Sequence, residues 1–129
     1  NKILFISERV TKWQDAAKIK KFDRPIKTTK QIFGNCCVND CLTLLHGKLY
    51  LCPFAAHAEN LHAIPKSPEE TIDFLKPHEK KELKDKIRKL YFETEYLEAC
   101  KSCNGRDFNV ASVEAAVQTK KPIEYIKVF

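Results

Sequence analysis

The fold is decided by the segment Cys41-Leu42-Thr43-Leu44-Leu45-His46-Gly47-Lys48-Leu49-Tyr50-Leu51-Cys52. Two β-prone runs flank Gly47, and glycine adopts positive φ in a tight turn without a steric penalty. If the turn is a two-residue loop, Leu45 faces Lys48, and counting outward pairs Cys41 with Cys52. Directly opposite residues have Cβ atoms about 5 Å apart, so this hairpin is predicted to bring two thiols together.

The remaining cysteines suggest a metal centre. Cys100 and Cys103 form a C-x2-C turn, in which two thiolates converge on one metal. Together with Cys36, Cys37, Cys41 and Cys52, they provide at least four sulfur ligands, enough for a tetrahedral zinc ion or an iron–sulfur cluster. A zinc ribbon has two C-x2-C-like knuckles, whereas this chain has only one such pair, which favours iron–sulfur.

Composition argues against a secreted disulfide-bonded protein, a nucleic-acid-binding protein and a membrane protein. Six cysteines allow 15 disulfide connectivities, but the first residues lack the pattern expected of a signal peptide, so we expect reduced thiols and a cytoplasmic location. The net charge of +6 comes from dispersed lysines mixed with acidic residues. No segment combines basic and aromatic residues in the way expected of a nucleic-acid-binding surface. No run of 18 apolar residues is present. We therefore expect neither nucleic acid nor a membrane as a partner.

The cysteine spacing resembles a known family. Cys37, Gly47 and Cys52 match C-x9-G-x4-C, Cys36 matches C-x10-G-x4-C, and 47 residues separate Cys52 from the C-x2-C pair. This pattern is similar to the shortened SPASM, or twitch, domain of radical S-adenosylmethionine (radical SAM) enzymes, especially those of bacterial polysaccharide and sugar modification. The resemblance covers residues from about 33 to 106. It implies an auxiliary [4Fe-4S] cluster held by four cysteines.

The resemblance also implies a ligand set. Cys52, Cys100 and Cys103 would be three cluster ligands, and the fourth would be one of Cys36, Cys37 and Cys41. Spacing to the hairpin glycine favours Cys37, whereas hairpin geometry keeps Cys41 close as a ligand or a neighbour. Three roles stay open for such a cluster, namely electron transfer, substrate positioning and structural support.

The radical SAM reaction itself is expected elsewhere. The family cleaves S-adenosylmethionine at a C-x3-C-x2-C motif, which this sequence lacks, so the chain alone is not expected to be an enzyme. It begins with Asn1 rather than Met, which suggests a fragment. We expect residues 1–30 to be a connector from an N-terminal radical SAM barrel and residues 31–129 to be the cluster domain.

Other polar residues give weaker signals. Arg106 follows the C-x2-C turn and is a candidate for contacting cluster sulfurs or an anionic or sugar-type substrate of the parent enzyme. His57 and His62 follow Cys52, but ordinary polar or packing roles are favoured for both. The rival function is a zinc-stabilised interaction module with a basic surface.

The expected architecture is α+β, a small antiparallel hairpin or sheet with flanking helices, held by the Cys-ligated cluster. Without the cluster, the hairpin and the C-x2-C turn would have little reason to stay together. The predicted elements are a strand over 2–6, a helix from Ser67 to about Pro77, a second helix over 78–93, a short helix over 110–120 and an extended piece over 123–129.

Overall fold

A computed structural model describes residues 12–16, 20–107 and 109–115. The described chain is mixed α and β, with three helices and two small antiparallel sheets. The helices are α1 (Ile26–Gly34), α2 (Pro53–Asn60) and α3 (Lys80–Phe92). The strands are β1 (Lys12–Gln14), β2 (Thr43–Leu45), β3 (Lys48–Tyr50), β4 (Thr71–Asp73) and β5 (Ser112–Glu114).

The predicted hairpin is confirmed as β2 and β3. Leu45 pairs with Lys48, as the two-residue turn requires, and Gly47 has a φ of 75°. The pairing ends at Thr43 and Tyr50, however, so the further pairing of Cys41 with Cys52 is wrong. The chain bends at Leu51 and starts α2 immediately, because Pro53 suits a first helical turn and ends strand pairing.

The helix predicted from Ser67 to about Pro77 is wrong. A single 3-10 turn (Pro68–Glu70) is followed by β4, which pairs antiparallel with β3. Ser67 makes no side-chain cap hydrogen bond. The β-branched pair Thr71 and Ile72 favours a strand, and pairing with β3 buries Ile72 in the core, so tertiary contacts outweigh the local helix signal.

The second predicted helix is confirmed as α3. Leu90 is buried, and Leu83 and Ile87 pack against the core from the same face. Glu82 and Lys86 form the expected i, i+4 ion pair at 2.6 Å on the exposed side. The helix is therefore a charged, amphipathic cover over the small sheet.

The ends of the described chain differ from expectation. Residues 112–114 form β5 rather than the predicted helix, and β5 pairs with β1 through Trp13 and Val113. Residues 116–120 of that helix, the strand over 2–6 and the piece over 123–129 lie outside the described residues. The expected connector also contains β1 and half of α1, which starts directly after Pro25.

One apolar core joins the hairpin to the C-x2-C turn. Leu97 and Ala99 lie in the same cluster as Leu51 and Ala55, and both leucines are only 2% exposed. The expectation that only a cluster would keep these two regions together is therefore wrong. Within the described residues, no helix has the length and apolar character needed to cross a membrane.

Candidate metal centre

Four cysteines from three separate parts of the chain line one cavity of about 320 Å³. Cys36 follows α1, Cys52 precedes α2, and Cys100 and Cys103 lie at the 3-10 turn Glu98–Ser102. The rest of the lining is mainly apolar and includes Phe33, Phe54, Ile32, Val38, Leu97 and Ala99. All six cysteines of the sequence are free thiols.

Backbone hydrogen bonds hold Cys36 against the C-x2-C side of the cavity. The Arg106 amide donates to Cys36 Sγ at 3.3 Å, and the Cys37 amide donates to the Arg106 carbonyl at 2.8 Å. The Cys36 amide also donates to the Phe33 carbonyl at the end of α1. This two-way bridge fixes a thiol that is 70 residues from Arg106 in sequence.

Cys103 is held by the glycine that follows it. The Gly105 amide donates to Cys103 Sγ at 3.3 Å, and Gly105 has a φ of 78°. A Cβ at Gly105 would lie 3.0 Å from Ile32 Cγ2 and 3.1 Å from the Ile32 carbonyl oxygen. Glycine is therefore favoured here both by its positive φ and by the close approach of α1.

The turn carrying Cys100 is anchored from the insert between the two cysteine groups. The Glu98 amide donates to both carboxylate oxygens of Glu70, at 2.8 and 3.1 Å. Burial raises the pKa of Glu70 to about 7, and nearby Glu98, Glu69 and Glu59 add to the shift. Glu70 thus ties the start of this turn to the residue before β4.

Burial also dominates the titration of Cys52, Cys100 and Cys103. It raises the pKa of Cys100 to about 12 and raises the pKa values of Cys52 and Cys103. Repulsion from neighbouring cysteines adds to the rise: Cys36 acts on all three thiols, and Cys52 acts on Cys100 and Cys103. The raised pKa values keep these three thiols protonated near neutral pH.

The other two cysteines lie differently. Cys37 and Cys41 are exposed and do not line the cavity. Cys41 still interacts electrostatically with Cys52, so it is a neighbour of the centre. The structure thus places Cys36, rather than the Cys37 favoured by sequence spacing, on the cavity wall.

Of the polar residues singled out from the sequence, some line the cavity and others do not. Arg106 and His57 line the cavity, whereas His62 is exposed at a φ of 56° in the turn after α2. Arg24 was missed, because it lies 79 residues before Cys103 within the expected connector. Its Nη1 donates to the Cys103 carbonyl at 3.1 Å, and its Nη2 donates to Asn104 Oδ1 at 3.3 Å.

The described side chains form no ready-made site for a metal ion. No three His, Cys, Asp or Glu side chains in residues 12–16, 20–107 and 109–115 are grouped closely enough to hold a single metal ion. Four thiols nevertheless line one cavity.

Comparison with known proteins gives no relative: no family model matches the chain, and no curated protein matches it.

Proposed function

We propose that this chain binds a [4Fe-4S] cluster through Cys36, Cys52, Cys100 and Cys103, as the auxiliary cluster domain of a radical SAM enzyme. The observation that carries the proposal is the meeting of four thiols from three chain segments on one cavity. Soft thiolates of this number suit iron–sulfur clusters and zinc, and disfavour hard cations such as magnesium and calcium.

Cavity size and lining favour the cluster over zinc. A zinc ion holds its thiolates at about 2.3 Å and needs little space between them. The cavity of about 320 Å³, which the four thiols help to line, is large enough for an eight-atom iron–sulfide cube. Amide groups of Gly105 and Arg106 already donate to two of the sulfurs, a feature that helps to set cluster potentials.

The proposed set of four cysteine ligands supports an auxiliary role. Four cysteines would leave no iron open, so electron transfer or structural support is favoured over direct substrate ligation. S-adenosylmethionine would bind only to an N-terminal radical SAM barrel, the proposed partner of this domain. We propose a cytoplasmic parent enzyme with an anionic or sugar-type substrate, because the sequence resemblance implies that class.

Anaerobic reconstitution with iron and sulfide tests the ligand set. We expect about four irons and four sulfides per wild-type chain, and loss of most of the cluster absorbance in Cys36→Ser, Cys52→Ser and Cys100→Ser proteins. Cys37→Ser is the matched control, because its thiol adjoins Cys36 but is exposed. A cluster lost in Cys37→Ser and kept in Cys36→Ser would overturn the proposed fourth ligand.

A zinc-binding interaction module is the second candidate. Four thiols also suit a tetrahedral zinc ion, and the chain carries a net charge of +6 for an acidic partner. A colourless, air-stable protein that holds one zinc and no sulfide would support this function instead.

A further inference from the structure

Arg24 contacts the C-x2-C turn, whose two cysteines line the cavity. Besides its two hydrogen bonds to Cys103 and Asn104, its guanidinium carbon lies 4.1 Å from the centre of the Phe22 ring. The Phe22 amide in turn donates to the Lys101 carbonyl at 2.8 Å. These contacts fix one half-buried positive charge beside the turn.

The surroundings of Cys103 show why a positive charge matters there. The Cys103 thiol donates to the Ala16 carbonyl at 3.6 Å, which is favourable only while the sulfur keeps its proton. A metal-bound thiolate cannot donate and would face the negative end of that carbonyl. The Gly105 amide donates to Cys103 Sγ and the Arg24 guanidinium donates to the Cys103 carbonyl, so both place positive charge beside this residue.

We propose that Arg24 is a positioning and charge-compensating residue that raises the reduction potential of the centre held by the four cavity cysteines. The inference rests on the proposed cluster function. One-electron reduction makes a cluster more negative, so a fixed positive charge nearby favours the reduced form. Two hydrogen bonds from the guanidinium group to the turn also fix the position of that charge.

Redox titration of the reconstituted 129-residue chain at an electrode tests the inference. In Arg24→Gln we expect the ratio of reduced to oxidised cluster at a fixed potential to fall at least tenfold, a downward shift of about 59 mV for a one-electron couple. Arg24→Lys keeps the charge and should shift the potential by less than half as much. Lys20→Gln removes an exposed charge from the same segment and should leave the potential unchanged.

A second variant tests the inference independently if the Arg24→Gln protein does not fold or does not hold a cluster. Asn104→Asp preserves the acceptor for Arg24 but adds a negative charge, so it should lower the potential in the same direction. Equal potentials in wild type, Arg24→Gln and Asn104→Asp would overturn the inference, as would equal shifts in Arg24→Gln and Lys20→Gln.

The wild-type protein separates this inference from the proposed function. If wild type takes up no iron and sulfide, both fall together. If wild type assembles the cluster and the variants keep its potential, only the role of Arg24 falls.

Discussion

The two regions that meet at the apolar core are held together in different ways. The cysteine side uses close, directional contacts: two amide-to-sulfur hydrogen bonds, a glycine with positive φ and a guanidinium fork. The insert over residues 67–92 adds Ile72 and Leu90 to the core and exposes mostly charged side chains. Substitutions on the cysteine side should therefore cost much more than substitutions on the outer face of the insert.

The apolar core also implies that the chain can fold without a bound metal. The core shared by Leu51, Ala55, Leu97 and Ala99 joins the hairpin to the C-x2-C turn through apolar contacts. A bound cluster would add free energy to a fold that is already connected. The metal-free chain is therefore expected to keep a cooperative, though weaker, unfolding transition.

The largest effect is expected from Cys100→Ser in the reconstituted protein. Losing one of four ligands should cost about 3 kcal/mol of unfolding free energy, a quarter of the binding free energy typical of structural metal–thiolate sites. Denaturant unfolding of loaded and metal-free protein measures this cost. The metal-free variant should lose far less, and exposed Cys37→Ser should lose little in either form. An unchanged transition in loaded Cys100→Ser would contradict the shared centre.

The next largest effect is expected from Gly105→Ala. The new methyl group would crowd Ile32 and force a positive φ on alanine, at a cost of about 1–3 kcal/mol. Gly34→Ala is the matched control, since α1 ends there and nothing lies within 4 Å of the position that an added Cβ would take. Equal unfolding free energies for the two variants would show that the close approach at Gly105 is unimportant.

A smaller, pH-dependent effect is expected at Glu70. Its folded pKa of about 7 exceeds the ordinary value of 4.5, so its contribution to stability is present below about pH 4.5 and is lost as pH rises to 7. Glu70→Gln should remove this dependence, which we place at about 1–2 kcal/mol after allowing for solvent screening. Unfolding free energies at pH 5 and pH 8 measure it. A constant difference between the two proteins at both pH values would contradict the shift.

The smallest effect is expected on the outer face of the insert. Glu82→Gln removes the exposed i, i+4 ion pair with Lys86 and should cost less than about 0.5 kcal/mol. Denaturant unfolding at low and high salt checks this value. A loss as large as that of Gly105→Ala would mean that the insert is held by its surface charges.

Local sequence patterns predicted the elements whose structure depends on residues close together in the chain. The hairpin register followed from the His-Gly turn, and α3 followed from the spacing of its apolar residues. The strand β4 was not predictable in this way, because the capping pattern at Ser67 is overridden by pairing with β3 and burial of Ile72. Tertiary pairing decided that segment.

In the candidate site, too, sequence patterns predicted some features, and contacts between distant residues determined the others. Thiol chemistry and the C-x2-C spacing indicated a sulfur-ligated centre, but they left three cysteines as candidates for one position. Cys36 was distinguished by its place on the cavity wall and by its hydrogen bond from the Arg106 amide, a contact across 70 residues. Arg24 was hidden for the same reason, since no local pattern links it to the C-x2-C turn.

The most direct test is iron, zinc and acid-labile sulfide analysis, with a visible spectrum, of protein purified without oxygen. The cluster proposal predicts about four irons and four sulfides per chain and a broad absorption band that is lost on reduction. One tightly bound zinc with no sulfide would contradict it and leave the zinc module as the function of the four thiols.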